Sequence, residues 1–388
     1  VAENRRKHWY TGARHTKMSW GVRENSAGTA LQKPPAKREA YIDNLRLFCI
    51  LLLFPYHAAM AYNTWGEANY ILLGRNTAIS SFVVAVSSWY MPLLFVMKYS
   101  LRRRLYSQFI RERCQKLLLP LLSGIFFVMP VMAYFADRWN GGYRGNYFSH
   151  YPVFFGKWTD LTGYDGGFGV GHLWFLLYLF VISTVSIAII QYQKKYWPML
   201  EEKLASVGFA IFFCVAAILF MPVKLSGKSI LTYLFFYLGG YYLFSKEELM
   251  KKLQKFRGGF LFCFLLSTAA DVYLFLWSRS EHMFENTIAM YCSGVFGVLF
   301  FLCFGERILN RSNRIVQSLA QDSFLIYIFH FIWVMIFEDL FYRLLPEDGF
   351  VFFASVIRAF VVTYLTCQMV KGVPLLRFLF WGKREKIS

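Results

Sequence analysis

The feature that most constrains this chain is a series of long apolar segments. Ten of them occur along its 388 residues, each within the roughly 17 to 25 residues that a helix needs to cross a bilayer. They lie near 45–62, 79–100, 117–136, 173–191, 204–222, 229–244, 259–277, 286–304, 322–341 and 350–370. Strands of a membrane β-barrel would be shorter and would alternate in polarity. The segments therefore predict an all-α integral membrane protein, a polytopic bundle of about ten transmembrane helices.

The basic residues predict how this bundle is oriented. Lys and Arg total 42, and the formal net charge is +19. If the N-terminus and every second loop face one side, that side carries 31 of them and the opposite loops carry 8. The positive-inside rule then places both termini in the cytoplasm. Attraction to anionic headgroups accounts for this charge, so we predict no nucleic-acid partner.

The same pattern divides the chain into three segments. We expect a basic cytoplasmic N-terminal segment over 1–40, a transmembrane domain over 41–371 and a basic cytoplasmic tail over 372–388. The first 40 residues lack the apolar run of a cleavable signal, so the first helix is expected to be an uncleaved anchor. The seven cysteines lie in or beside apolar segments without a CxxC pair. They are therefore interpreted as core residues, and no metal site is predicted.

Two polar residues stand out in the first apolar segment, "YIDNLRLFCILLLFPYHAAM". Arg46 and His57 are separated by three helical turns plus roughly 20°, so they share one helix face about 16 Å apart. A polar group inside a membrane span is costly and usually faces the bundle interior. Two alternatives stay open: headgroup anchoring for Arg46 and a structural histidine for His57.

Four motifs in this order resemble membrane acyltransferase family 3, closest to its glucan-biosynthesis branch. They are the opening "YIDNLR" with Arg-x10-His, "FIRERCQKLLLP" before the third helix, "GHLWFLLYL", and "SFLIYIFHFIW". The resemblance covers about residues 41–370, which is almost the whole predicted membrane domain.

This resemblance implies a reaction and a set of residues. An acyl group would move from a cytoplasmic acyl-CoA to a hydroxyl of an extracytoplasmic glycan or glycoside. His57 would be the general base or a transient acyl carrier, and Arg46 would orient the donor. Arg113 and Lys116 would bind donor phosphates, although the family commonly has a second Arg at the position of Lys116. Support of the site or acceptor binding would involve Asp43, His172, Trp174, Tyr327 and His330.

Several points stay open at this level. The acyl group is acetyl or succinyl, and the acceptor is a periplasmic glucan, an exopolysaccharide, a cell-wall polymer or a small glycoside. Acyl-CoA is a substrate, and no bound cofactor is implied. The expected surroundings are the lipid bilayer of a bacterial cytoplasmic membrane, with room for a separate glycan-modifying partner protein.

The long loop from Asp137 to Gly171 combines Gly with Trp, Tyr, Asn and Asp. Such side chains can stack on sugar rings, so this loop is a hypothetical acceptor-binding lip. The alternative is an interfacial aromatic belt.

Two other function classes remain beside the enzyme. A transporter or flippase of an acylated or lipid-linked saccharide would also suit buried charges among ten helices, and it predicts internal repeats and broken helices. A sensor or scaffold would not need Arg46 and His57 on one face.

Overall fold

The computed structural model describes residues 40–65, 69–96, 106–159, 161–200, 206–225, 227–278, 283–311 and 313–382. Nearly all of the predicted basic N-terminal segment, and the tail beyond residue 382, lie outside the described residues. The first predicted helix begins at Ala40, one residue before the expected start of the membrane domain.

Thirteen helices make up the described part of the chain, and some contain short 3₁₀ or π turns. In chain order they are α1 Ala40–Met60, α2 Thr77–Phe95, α3 Ser107–Gly141, α4 Tyr147–Gly156, α5 Gly171–Tyr196, α6 Val207–Phe220, α7 Ile230–Tyr242, α8 Glu247–Gln254, α9 Arg257–Leu276, α10 Met283–Ile308, α11 Arg314–Tyr342, α12 Asp348–Gly372 and α13 Pro374–Trp381.

The predicted fold class is confirmed, with a difference in helix length. Eight helices in the described residues are long and apolar enough to cross a membrane: α1, α2, α3, α5, α9, α10, α11 and α12. The segments near 204–222 and 229–244 form the shorter helices α6 and α7 of 14 and 13 residues. At about 1.5 Å per residue such helices are roughly 20 Å long, less than the hydrocarbon thickness of about 30 Å.

The helix α1 lies at the centre of the bundle and packs against α2, α10, α11 and α12. Its first turns are fixed to the segment that directly follows α10, because the Asn44 amide donates to the carbonyls of Leu309 and Arg311, at 2.6 and 3.0 Å. Farther along, Pro55 has no N–H and leaves the carbonyl of Leu51 without its helical donor. This interruption comes two residues before His57.

Two ends of the bundle are distinguished below. Successive helices reverse direction, so the loops that follow Met60, Gly141 and Phe220 lie together. We call this the histidine end, because His57 and His172 lie near it. The opposite end, which holds Arg46, Arg113 and Lys116, is called the basic end.

The helix α3 is interrupted where proline removes a backbone donor. Pro130 cannot donate to the Phe126 carbonyl, and the Tyr151 hydroxyl of α4 donates to that oxygen instead, at 3.1 Å. Two π turns, Cys114–Leu118 and Asp137–Gly141, flank this break. The substitute hydrogen bond ties the short helix α4 against α3 at the histidine end.

The helices α2 and α10 approach closely through small residues. Pro92 leaves the Ser88 carbonyl free, and a Cβ built on Gly294 would lie 2.8 Å from that oxygen. The hydroxyls of Ser88 and Ser293 are 2.8 Å apart, and Thr268 of α9 reaches Ser293 at 2.7 Å. Such small-residue contacts and shared hydroxyl bonds are typical of helix association in membranes.

A buried ion pair joins α11 to α12 near the basic end. The Lys371 ammonium lies 2.8 Å from the Asp322 carboxylate, and the Gln368 amide donates to the same group at 3.0 Å. The Asp322 side chain is only 1% exposed, so this carboxylate depends on its partners for compensation.

Candidate active site

A cavity of about 560 Å³ opens inside the histidine end of the bundle. Its walls come from α1, α2, α5, α7, α10 and α11, together with the loops before α2, α5 and α7. The polar and aromatic side chains that line it include Tyr56, His57, Tyr70, Ser88, Tyr90, His172, Trp174, Tyr178, Lys224, Lys228, Thr232, Tyr233 and Phe331. A cavity of this size is typical of a small-molecule site.

The imidazole of His57 faces this cavity from the last turn of α1. Its ring stacks on Phe331 at a centroid distance of 3.9 Å and an interplanar angle of 20°. The neighbouring Tyr56 ring stands edge-on to it at 5.4 Å. Aromatic packing on two sides holds the ring in place while its side chain remains half-buried and reachable from the cavity.

The imidazole of His172 is buried and held by the backbone of α11. Its Nε2 lies 3.1 Å from the carbonyl oxygen of Ile328, and its own carbonyl accepts a hydrogen bond from the Tyr327 hydroxyl. A carbonyl can only accept, so Nε2 carries the proton in the neutral ring and Nδ1 keeps a free lone pair. Within the described residues Nδ1 has no hydrogen-bond partner.

The residue before His172 must be a glycine. Gly171 has φ +45°, and a Cβ there would lie 2.3 Å from the Tyr70 hydroxyl and 2.5 Å from Met129 Cε. The Tyr70 hydroxyl donates to the Thr162 carbonyl at 2.9 Å, which joins two loops over the cavity. The close approach of Gly171 to Tyr70 therefore sets where the His172 turn begins.

A third imidazole, that of His330, lies behind the first two. Its ring centroid is 5.2 Å from that of His57 and 5.4 Å from that of His172. Its Nδ1 lies 2.7 Å from the Tyr327 carbonyl, which makes Nδ1 the donor, and its Nε2 has no partner among the described residues. His330 is fully buried and does not line the cavity. The structure thus brings three of the sequence-predicted histidines together.

Trp174 forms part of the cavity wall one turn into α5. It stacks on Tyr233 at 6.0 Å and 28°, and the Tyr178 ring meets it edge-on at 5.2 Å. The Lys228 ammonium lies over the Trp174 ring, 4.9 Å from its centroid. Burial, and then the nearby charge of Lys224, holds the pKa of Lys228 below its usual range.

The predicted basic residues are not part of this cavity. Arg46 is 42% exposed and pairs with Asp43 at 3.0 Å. Lys116 is 51% exposed and pairs with Glu112 at 3.3 Å, and the Arg113 guanidinium lies 4.6 Å from the Phe109 ring centroid. All of these contacts are made at the basic end.

Arg46 and His57 do share α1, but they sit toward opposite ends of it. Ile50 and Leu53, on the face between them, are 4% and 1% exposed. This face is therefore packed with aliphatic side chains over the roughly 16 Å that separates the two residues.

Sequence reasoning missed several residues of the cavity, including Tyr70, Lys228 and Phe331. Phe331 directly follows His330 in the quoted motif, so adjacency could have suggested it. Lys228 is one of only 8 basic residues in the loops assigned to the side with less charge, and this scarcity was the available signal. Among the described residues, no group of three or more His, Cys, Asp or Glu side chains is placed to hold a metal ion.

Comparison with known proteins agrees with the resemblance seen in the motifs. A family model for the acyltransferase domain of acyltransferase family 3 matches residues 39–368. Glucans biosynthesis protein C of Salmonella heidelberg (strain SL476) is 24% identical over 392 aligned positions, which cover 90% of this chain and 96% of that protein.

The protein of the same name from Escherichia coli (strain K12) is 24% identical over 390 positions, with the same shares covered. No solved structure matches the chain significantly. The family match covers α1, α5 and α11, which carry the three clustered histidines, and extends over most of the chain. The chain is a multi-pass membrane protein that belongs to acyltransferase family 3.

Proposed function

We propose that this protein is a membrane-bound O-acyltransferase that moves an acetyl or succinyl group from cytoplasmic acyl-CoA to a hydroxyl of an extracytoplasmic glycan or glycoside. The two relatives are named for glucan biosynthesis, which favours a glucan as acceptor. The protein would lie in the cytoplasmic membrane of a bacterium, with both termini in the cytoplasm. The histidine end would then face outward.

The observation that carries this proposal is the exposure of His57 to a cavity of about 560 Å³. A sugar hydroxyl is a weak nucleophile near neutral pH, so it needs a base that can accept its proton as the acyl carbon is attacked. Imidazole is the usual side chain for this role. His57 is the cavity-lining imidazole that is not fully buried.

The chemistry then balances in either of two ways. As general base, His57 takes the hydroxyl proton while the hydroxyl oxygen bonds to the acyl carbon and the thiolate leaves. As acyl carrier, an imidazole nitrogen first bonds to the acyl carbon while the carbon–sulfur bond breaks and the thiolate leaves. The hydroxyl oxygen then bonds to the acyl carbon, the carbon–nitrogen bond breaks, and the hydroxyl proton passes to the released imidazole nitrogen or to a neighbouring base. The free Nδ1 lone pair of His172 provides a second proton acceptor in the same cavity.

The acceptor would enter from the loops around the cavity. Tyr70, Tyr164 and Trp174 offer aromatic faces there, and the Asn69 side chain offers hydrogen-bonding groups. Aromatic faces and amides are suited to sugar rings and hydroxyls. This agrees with the hypothesis that the loop from Asp137 to Gly171 forms an acceptor-binding lip, because Tyr164 belongs to it.

The donor would bind at the opposite end, where Arg46, Arg113 and Lys116 present cations. The phosphates of a CoA thioester would be held by charge-assisted contacts, and those of arginine can be bidentate. The exposure of Arg46 and Lys116 leaves both accessible to a donor from solution.

The test is acyl transfer in inverted membrane vesicles that contain the full-length protein. Acyl-CoA labelled in the acyl group is supplied outside the vesicles and a β-glucan oligosaccharide inside. We expect labelled glucan ester with the wild-type protein, and a rate lowered about 10²–10⁴-fold by His57→Ala.

A control is Thr363→Ala, which changes a buried polar side chain of α12 outside the cavity and outside the loop from Asp137 to Gly171. Transfer by this variant should stay within a few-fold of wild type when expression is equal. Movement of intact saccharide without formation of an ester would instead favour the transporter alternative. Wild-type transfer by His57→Ala would remove the histidine mechanism.

A further inference from the structure

We propose that Lys224 and Lys228 form a binding site for an anionic oxygen group, a carboxylate or a phosphate ester, carried by a substrate in the cavity. The inference deepens the proposed function and rests on it only in treating the cavity as a substrate site. Two substrates carry an anionic group of this kind: a dicarboxylic acyl donor, at the far end of its acyl group, and an acceptor with a charged substituent.

Hydrogen bonds hold the described residues of the loop that carries both lysines. The backbones of Leu225 and Lys228 exchange two hydrogen bonds of 2.9 Å each, and Gly227 has φ +73° at the turn. The Tyr178 hydroxyl of α5 donates to the Leu225 carbonyl at 2.7 Å. The Ser229 hydroxyl donates to the Met221 carbonyl at 2.7 Å. The ammonium groups are therefore offered to the cavity from a fixed backbone.

The charges of these lysines are not neutralised by the cavity. Within the described residues that line it, there are two lysines and no aspartate or glutamate. Lys228 is half-buried, and its ammonium is stabilised by the Trp174 ring rather than by a carboxylate. A cation without a nearby counter-ion in a partly desolvated cavity favours a bound anion.

The position of the pair relates it to the reacting groups. Trp174, which Lys228 covers, is two residues from His172 in the same α5 turn, and His57 lines the same cavity. A substrate whose reacting carbon lies at His57 could therefore place a group several atoms away against Lys228. A neutral acetyl group has no atom that would use this cation, whereas a terminal carboxylate would.

The scarcity of basic residues at this end adds to the argument. The loops assigned to the outer side carry only 8 Lys and Arg, and two of them fall within the six residues 223–228. Most other basic residues lie on the opposite side, where they set the orientation of the protein in the membrane. Lys224 and Lys228 have no such role, since they lie on the side with the lower charge.

The experiment measures binding without turnover. The full-length protein in lipid nanodiscs is titrated with three probes by ligand-observed NMR. Monomethyl succinate mimics a dicarboxylic acyl ester, methyl butyrate is its neutral counterpart, and glucose 6-phosphate represents an anionic acceptor.

The variants are Lys228→Gln, Lys224→Gln and Lys228→Arg. Arg75→Gln serves as control, because it removes one positive charge from an exposed residue of the loop between α1 and α2, at the same end but outside the cavity lining.

We expect Lys228→Gln to lower the affinity for an anionic probe by about tenfold or more, because a charge-assisted contact is lost. Lys224→Gln should have a smaller effect, because Lys224 is exposed. Lys228→Arg should retain binding, and Arg75→Gln should bind the anionic probes as wild type does. The affinity for methyl butyrate should be the same in every variant. An effect on monomethyl succinate assigns the site to the acyl group. An effect on glucose 6-phosphate alone assigns it to the acceptor.

Equal affinity of wild type and Lys228→Gln for both anions would overturn the inference, as would anionic probes that bind no better than methyl butyrate. Failure of the proposed function is distinguishable from this result. Wild-type transfer by His57→Ala would remove the histidine mechanism and leave the titrations unaffected.

Discussion

The histidine end of this bundle is enclosed, whereas the basic end is open. At the histidine end, three imidazole rings form a cluster in which each ring centroid lies within 5.4 Å of another. A cavity of about 560 Å³ reaches two of these rings. At the basic end, Arg46 and Lys116 are 42% and 51% exposed, and each has a carboxylate partner within one helical turn. The first arrangement holds groups in fixed positions, and the second leaves cations exposed to a soluble anion.

Under the proposed function, this difference would correspond to a division of labour along α1, with chemistry at the histidine end and donor binding at the basic end. Chemistry needs groups held in defined geometry, whereas recognition of phosphates tolerates exposed cations. The face of α1 between the two ends is closed by Ile50 and Leu53. We therefore expect the thioester arm of the donor to reach His57 only when side chains on this face move.

The largest effect is expected on stability, at a cation near the basic end that belongs to a buried ion pair. Lys371→Met would leave the buried Asp322 carboxylate without its cation, and it should lower the free energy of unfolding by about 3–5 kcal/mol. Unfolding in mixed micelles measures this. The control is Lys251→Met, which breaks the pair between Lys251 and Glu247, whose side chains are 66% and 72% exposed; this variant should leave the free energy of unfolding almost unchanged. Equal losses would mean that burial does not separate the two kinds of cation.

The next effect concerns donor recognition. Arg113→Ala should weaken acyl-CoA binding by about 1.5–3 kcal/mol while folding is preserved, because a charge-assisted phosphate contact is lost. Binding to purified protein measures it. Arg111→Ala removes the same charge from an exposed neighbour two residues away. If both variants weakened binding equally, the basic end would act through diffuse charge and not through a site.

A smaller effect on stability tests the fixed geometry of the histidine end. Gly171→Ala places a Cβ 2.3 Å from the Tyr70 hydroxyl at a positive φ, with an expected cost of about 1–3 kcal/mol. Transfer should fall further than this loss of stability explains, because the His172 turn shifts. Gly258→Ala is the control, since a Cβ at Gly258 meets nothing within 4 Å. Wild-type transfer by Gly171→Ala would show that the position of His172 does not matter.

The fold could be predicted largely from sequence because hydropathy along a helix is a local property. Eight of the ten apolar segments form helices of spanning length. The segments near 204–222 and 229–244 were predicted longer than α6 and α7 because apolar residues continue into the turns that follow each helix. The Val223 N–H donates to the Phe220 carbonyl at 3.1 Å, and the Phe244 N–H donates to the Gly239 carbonyl at 2.9 Å. Hydropathy averaged over a window does not detect where such a turn begins.

The site could be predicted only where motifs carry it. His57, His172 and His330 were named from motif resemblance, and their meeting in space depends on the packing of α1 and α5 against α11. Tyr70 could not be found in this way, since its partner Thr162 is 92 residues away in another loop. Helical periodicity correctly indicates a common face for Arg46 and His57, but it does not show that Ile50 and Leu53 close that face.

The most direct test of this division of labour measures donor affinity and transfer rate separately in His57→Ala. Acyl-CoA binding to the purified variant should equal that of wild type, because the donor cations lie about 16 Å away at the basic end. Single-turnover transfer to a glucan oligosaccharide should fall about 10²–10⁴-fold. Transfer at the wild-type rate, at equal expression, would contradict the account and leave His57 as a packing residue.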